Sequence, residues 1–180
     1  MTSFPLPSTS EPADPPKPAG PKREEQARDL CLRLLTVRAR TRAELETRLT
    51  DRGFPDEVST RVLDRLVEVG LLDDAAFAQE WVRARRTNAG KGKRALAAEL
   101  RTKGVDADLI AATLDSVDPG EWRVRAEELV ATKLRRENLD DETKVTRRLV
   151  GLLARRGYNQ GMAFDVVKTQ LAQERERRSV

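Results

Sequence analysis

Three times along the chain, a pair of leucines stands eight and four residues ahead of a glycine: Leu45, Leu49 and Gly53; Leu96, Leu100 and Gly104; Leu149, Leu153 and Gly157. A basic residue precedes each glycine (Arg52, Lys103, Arg156) and an apolar one follows it (Phe54, Val105, Tyr158). A further apolar residue comes five positions on (Val58, Leu109, Met162). Leucines one turn apart mark the buried stripe of a helix, and glycine suits the left-handed position that closes one. The interval of about 50 residues is that of a helical repeat array. A leucine-rich bundle matches itself by accident in one column, not in five that include the glycine. The leucines are core on either reading.

The flanking residues supply the remaining helix boundaries. A first helix carrying Leu30, Leu34 and Val37 should end near Arg40. Thr41-Arg-Ala-Glu44 has the form of a capping box, and Pro55 suits the first turn of a helix bearing Val58, Val62, Leu63 and Leu66. Gly70 ends that helix. Asp73, Asp106 and Asn159 can each cap a helix, and Asp118-Pro119-Gly-Glu121 reads as a second capping box. The fold class is therefore all-α, with three tandem three-helix repeats over residues 22–70, 73–117 and 118–175. Residues 1–21, with Pro5, Pro7, Pro12, Pro15, Pro16, Pro18 and Pro21, cannot propagate a helix and read as a disordered tail.

Composition agrees with slender layers more than with one thick core. Apolar residues are 38% and charged residues 36%, aromatics only 4%, and Ile110 is the single isoleucine. The chain has no histidine, which removes Ser-His and Cys-His dyads, histidine zinc ligands and a neutral-pH imidazole base. Cys31 is the only cysteine, so neither an internal disulfide nor a cysteine metal site can form. No catalytic residue, cofactor or metal is expected. No apolar run approaches the roughly 20 residues of a membrane span, and the start lacks a signal-peptide pattern. A soluble, cytoplasmic monomer is expected.

With a net charge of +4, where the charge lies matters more than its sum. The densest set is Arg83, Arg85, Arg86, Lys91, Lys93, Arg94, Arg101 and Lys103, with Glu99 the single acid among them. Asn88-Ala-Gly90-Lys-Gly92 interrupts it, so a flexible corner and a helix start with free N–H groups are expected, a combination that attracts phosphates or carboxylates. This is the candidate partner-binding site. It is not a phosphate loop, because Thr87 stands where the first glycine belongs and Arg94 where the metal-binding hydroxyl belongs. A second set holds Lys133, Arg135, Arg136, Lys144, Arg147, Arg148, Arg155 and Arg156, interrupted by Glu137, Asp140, Asp141 and Glu142. It reads equally as a solvated face and as a contact face, with Arg147, Arg148, Arg155 and Arg156 its candidates. Asp73-Asp74 reads as capping, Trp81 and Trp122 as core, Tyr158 as exposed after its turn, and Glu174-Arg-Glu-Arg-Arg178 as a frayed, salt-laced helix end.

The stretch Asp64-Arg65-Leu66-x-Glu68-x-Gly70-Leu71-Leu72-Asp73-Asp74, with Phe77-Ala78 and Trp81-Val82-Arg83-x-Arg85 after it, closely resembles the RecX family of bacterial regulators. The likeness continues through the glycine–lysine corner into Leu96, Glu99, Leu100, Lys103, Gly104 and Val105. It covers roughly residues 24–175 and is loosest in the third unit, where only the leucine–glycine frame is clear. The resemblance implies a curved, elongated array that binds the RecA recombinase and lodges in the groove of the RecA–DNA filament. It further implies suppression of strand exchange, ATP hydrolysis and the co-protease activity of the SOS response. It brings no catalytic residues. The alternative is a DNA-binding array that acts by covering single- or double-stranded DNA.

Overall fold

The computed structural model describes residues 20–139 and 141–179. The expected tail therefore lies outside the described residues, apart from its last two. Among these described residues nine helices follow in order: α1 (Pro21–Val37), α2 (Arg42–Asp51), α3 (Asp56–Glu68), α4 (Asp74–Ala89), α5 (Lys93–Thr102), α6 (Ala107–Asp115), α7 (Pro119–Leu134), α8 (Glu142–Arg155) and α9 (Gln160–Ser179). Among the described residues there is no strand. Pro21, assigned above to the tail, is the first residue of α1, where its missing N–H costs nothing. That helix ends at Val37, somewhat before Arg40.

The leucine–glycine frame has one backbone explanation, met three times. The N–H after each glycine returns to the carbonyl of the second leucine: Phe54 to Leu49, Val105 to Leu100 and Tyr158 to Leu153, each at 3.1 Å. Each glycine N–H donates one residue further along, at 2.9–3.0 Å to Thr50, Arg101 and Ala154. This is the Schellman closure, and it needs the left-handed glycine that Gly53, Gly104 and Gly157 provide, at φ between 71° and 91°. The apolar residue after the glycine packs beside the leucine whose carbonyl it uses.

The N-termini follow their capping residues. Thr41 forms the complete capping box with Glu44, with N–H to oxygen distances of 3.2 and 3.4 Å. Asp73 accepts from Ala76, Asp106 from Asp108 and Leu109, and Asn159 from Met162. Two expectations need correction. Pro55 sits at the N-cap of α3, one position before the helix proper. Asp118 caps α7 by accepting from Gly120 at 2.7 Å, but no box forms there. The Glu121 carboxylate instead reaches out of its helix to Arg86, 2.5 Å away.

The helices pack as three triplets: α1 and α2 on α3, α4 and α5 on α6, and α7 and α8 on α9. Each triplet has its own apolar cluster. Leu45, Leu49, Leu63 and Leu66 anchor the first; Phe77, Leu96, Leu100 and Leu114 the second; Leu149, Val150, Leu153 and Leu171 the third. Trp122 from α7 packs backward into the second cluster.

Successive triplets meet through one recurring joint. The start of the middle helix of one unit sits on the glycine turn that closes the middle helix of the next. Thr41, buried at the start of α2, donates its hydroxyl to the Lys103 carbonyl at 2.6 Å, and Ala43 abuts Gly104. Gly92, at the start of α5, donates its N–H to the Arg156 carbonyl at 2.7 Å, and Arg94 N–H donates to Gly157 at 3.1 Å. A Cβ on Gly92 would lie 2.7 Å from the Gly157 carbonyl carbon, so the second joint admits only backbone. The ends of the series differ from its joints. Around Gly53 a Cβ would meet nothing within 4 Å, and α8 has 14 residues where α2 and α5 have 10. Such atypical terminal units are usual in repeat arrays.

Candidate partner-binding face

The eight cations from Arg83 to Lys103 do not form one open patch. Three acids from other helices fold onto them, and Glu80 joins from within α4. Lys103 pairs with Glu44 of α2 at 2.6 Å, Lys93 with Asp115 of α6, Arg86 with Glu121 of α7, and Arg83 with Glu80 at 2.8 Å. Glu99, the acid already counted, receives Lys91 and lies 3.6 Å from Arg85. A count of charge along the sequence could not register acids that arrive through tertiary structure.

Trp81 stands in the middle of this network. It stacks on Phe77 at 5.6 Å, with Arg85 over its ring at 4.6 Å and Lys103 at 5.1 Å. Its indole N–H donates to Glu99 at 2.9 Å. Trp122 is buried, with Arg86 lying 5.6 Å from its ring. Both tryptophans are thus structural, as their helical spacing suggested. Burial opposes the charge on Glu44, but hydrogen bonds from Arg38 and Lys103 outweigh it and hold the carboxyl down at about 2. Glu99 is likewise held low, with burial overcome by Lys91 and Trp81.

The glycine corner also departs from expectation. It is not flexible with free N–H groups: Gly90 closes α4 in the left-handed region, Gly92 is buried, and the N–H groups of Gly92 and Arg94 are taken by the third unit. Side chains of the third unit complete the clasp. Arg125 donates to the carbonyls of Arg86 and Thr87 at 3.2 and 2.5 Å, and Arg156 to that of Ala89. Tyr158, expected to be exposed, is only 4% exposed and donates to the Gly90 carbonyl at 3.3 Å. The docking of α5 onto the turn after α8 covers it, and burial raises its phenol pKa. The corner is a joint between units, not an anion cradle.

Arg94 and Arg101 remain. Both are exposed, and among the described residues neither has a carboxylate partner. They lie seven residues apart on α5, roughly 10 Å along its axis at 1.5 Å per residue. Arg83 and Arg85 are exposed as well, in surface pairs that a partner can displace at little cost. In the second basic set, Arg147 and Arg155 are exposed and have no ion-pair partner among the described residues, Arg148 is tied to Glu137, and Arg156 is spent on the joint. Glu174 at the chain's end is nearly buried and bridges Arg177 and Arg178, while Arg178 donates to the Leu134 and Glu137 carbonyls. That end is therefore pinned to α7, not frayed.

Sequence reasoning missed Asp115 and Arg125, and read Glu44 and Glu121 as capping residues without their pairing to Lys103 and Arg86. One signal was available. The offset that aligns Gly53 with Gly104 also aligns Thr41 with Gly92, so the corner occupies a joint position in the repeat.

Comparison with known proteins decides the family. The family description "RecX, first three-helix domain" matches residues 27–66, and "RecX, second three-helix domain" matches residues 73–114. The regulatory protein RecX of Mycolicibacterium vanbaalenii is 64% identical, with both chains covered over their full length. The chain belongs to the RecX family. The RecX regulatory protein of Mycolicibacterium smegmatis is similar to the same degree, 64% over the whole of both chains. The crystal structure of RecX from Lactobacillus salivarius superposes with a TM-score of 0.78 at 17% identity, covering 83% of this chain and 97% of that one. At that identity it speaks for the RecX fold alone. As a RecX-family member the chain is a regulatory protein. No helix among the described residues is long and apolar enough to cross a membrane.

Proposed function

We propose that this RecX-family protein binds the RecA recombinase and its filament on DNA, and that it inhibits strand exchange, ATP hydrolysis and SOS co-protease activity without catalysing a reaction. Full-length 64% identity to proteins named regulatory protein RecX carries the reading, together with the motif from Asp64 to Val105. Physical chemistry supports it. The units expected at 22–70, 73–117 and 118–175 can touch successive protomers, so that weak contacts add through effective concentration. The exposed cations Arg83, Arg85, Arg94 and Arg101 suit acidic protein surfaces or phosphate. The protein acts as a monomer in the cytoplasm, where the filament forms. The test is RecA's DNA-dependent ATPase with substoichiometric protein: suppression is expected, and unchanged ATPase and strand exchange at equimolar protein would refute the reading.

A second reading, covering of DNA itself, draws on the exposed Arg147 and Arg155, which have no ion-pair partner among the described residues. It requires inhibition to vanish with naked-DNA binding as salt rises. Inhibition that persists beyond that point favours the RecA-directed reading.

A further inference from the structure

Between α5, α6 and the start of the third unit lies a cleft of about 460 Å³. Its floor is apolar: Ile110, Leu114, Trp122 and Met162. Its rim is cationic: Lys93, which is paired with Asp115, and Arg94 and Arg101, which no carboxylate among the described residues neutralises. Ala97, one turn from each of them on α5, leaves the space between the guanidinium groups open. The other apolar depression at a joint, between Leu71 and Trp81, is different. Its rim charges are engaged internally: Arg38 with Glu44, Arg40 with the Leu34 carbonyl, Glu80 with Arg83.

We propose that the cleft between the second and third units is the docking pocket for an acidic segment of a protein partner, which inserts one bulky apolar side chain onto Trp122 and Met162 while flanking carboxylates pair with Arg94 and Arg101. Charge complementarity selects the occupant. Two unpaired guanidinium groups demand anions, and an apolar floor large enough for a side chain demands a group that a phosphodiester track does not offer. A buried apolar anchor within a charged rim is the usual anatomy of a tight protein contact. This inference rests on the proposed RecA-filament binding and locates one contact within it.

The experiment measures binding to RecA filaments on a thymidine oligonucleotide, and separately to the naked oligonucleotide. Three proteins are compared: the full chain, the double variant Arg94→Glu/Arg101→Glu, and Ala111→Glu. Ala111 is an exposed helical residue on the cleft wall, so its substitution places a carboxylate beside the two arginines without touching a core. Both variants should weaken filament binding by at least about tenfold, with helical content unchanged. Ala111→Glu should leave naked-DNA affinity as it is. If the unaltered chain fails to bind the filament, the proposed function falls. If it binds and Ala111→Glu binds equally well, the cleft proposal alone falls. A double variant that loses naked-DNA and filament binding in equal measure would make the arginines a phosphate track and overturn the proposal. Photo-crosslinking from position 111 gives an independent readout: attachment to a carboxylate-rich RecA segment supports the pocket, and attachment to DNA refutes it.

Discussion

At the scale of single residues, the chain spends its charge mostly on itself. Glu44 shows this best: it closes the capping box of α2, accepts from Arg38, and ties Lys103 of the next unit. Because its carboxyl is held at about 2, below the ordinary 4.5, it contributes stability that is full above the ordinary value and is lost as pH falls toward 2. Glu44→Gln should therefore be less stable than the parent chain at neutral pH. The difference should shrink steadily in urea unfolding repeated at more acid pH, and a gap independent of pH would refute this account. The same residue marks where reading along the sequence stops. The capping box was legible because Thr41 and Glu44 are three residues apart, whereas the pair with Lys103 spans 59 positions. Arg83, Arg85, Lys91 and Lys93 were recognised as cations, but the distant acid of Lys93 becomes its neighbour only once α5 and α6 pack.

At the scale of elements, nearly every helix could be read, since apolar spacing and caps are local properties. The joints could not, because a glycine required by its own turn looks the same in sequence as one required by a neighbour. The two kinds separate energetically. Gly53 is left-handed with open space around it, so Gly53→Ala should cost about 1–2 kcal/mol, the strain of that backbone region alone. Gly157 is equally left-handed, but an added Cβ would run into Ala95 at the start of α5. Gly157→Ala should cost that strain plus about 1–3 kcal/mol for overpacking. Urea midpoints for the two variants give the comparison, and equal losses would mean that the second joint yields readily. The tight turn at Gly90–Gly92 follows the same logic: its glycines read as a loose corner in sequence and serve in the structure as the bearing surface of the third unit.

At the scale of the whole molecule, three cores connected by narrow joints should behave as a short series of coupled folding units, with stability the sum of unit and interface contributions. Gly92→Ala obstructs the second joint while leaving the leucine cores alone. In the parent chain, unfolding followed by far-ultraviolet dichroism and by tryptophan fluorescence should coincide. In the variant they should separate, because Trp122, carried on α7 of the third unit, is packed into the second core and reports the joint directly. Coincident transitions in the variant would place most of the coupling elsewhere.

The joint is made twice from corresponding parts: the N-cap residue of a middle helix on the carbonyl before a glycine, at Lys103 and again at Arg156. Geometry attaches a consequence to that repetition. Any fixed rotation and translation, applied again and again, traces a screw. A chain built this way carries a pitch and a handedness of its own, written in the contact between one unit and the next and independent of any ligand. It can therefore keep step with another helical object, provided the two pitches agree, and a change at the first joint would retune that pitch without altering a residue of the cleft proposed at the second.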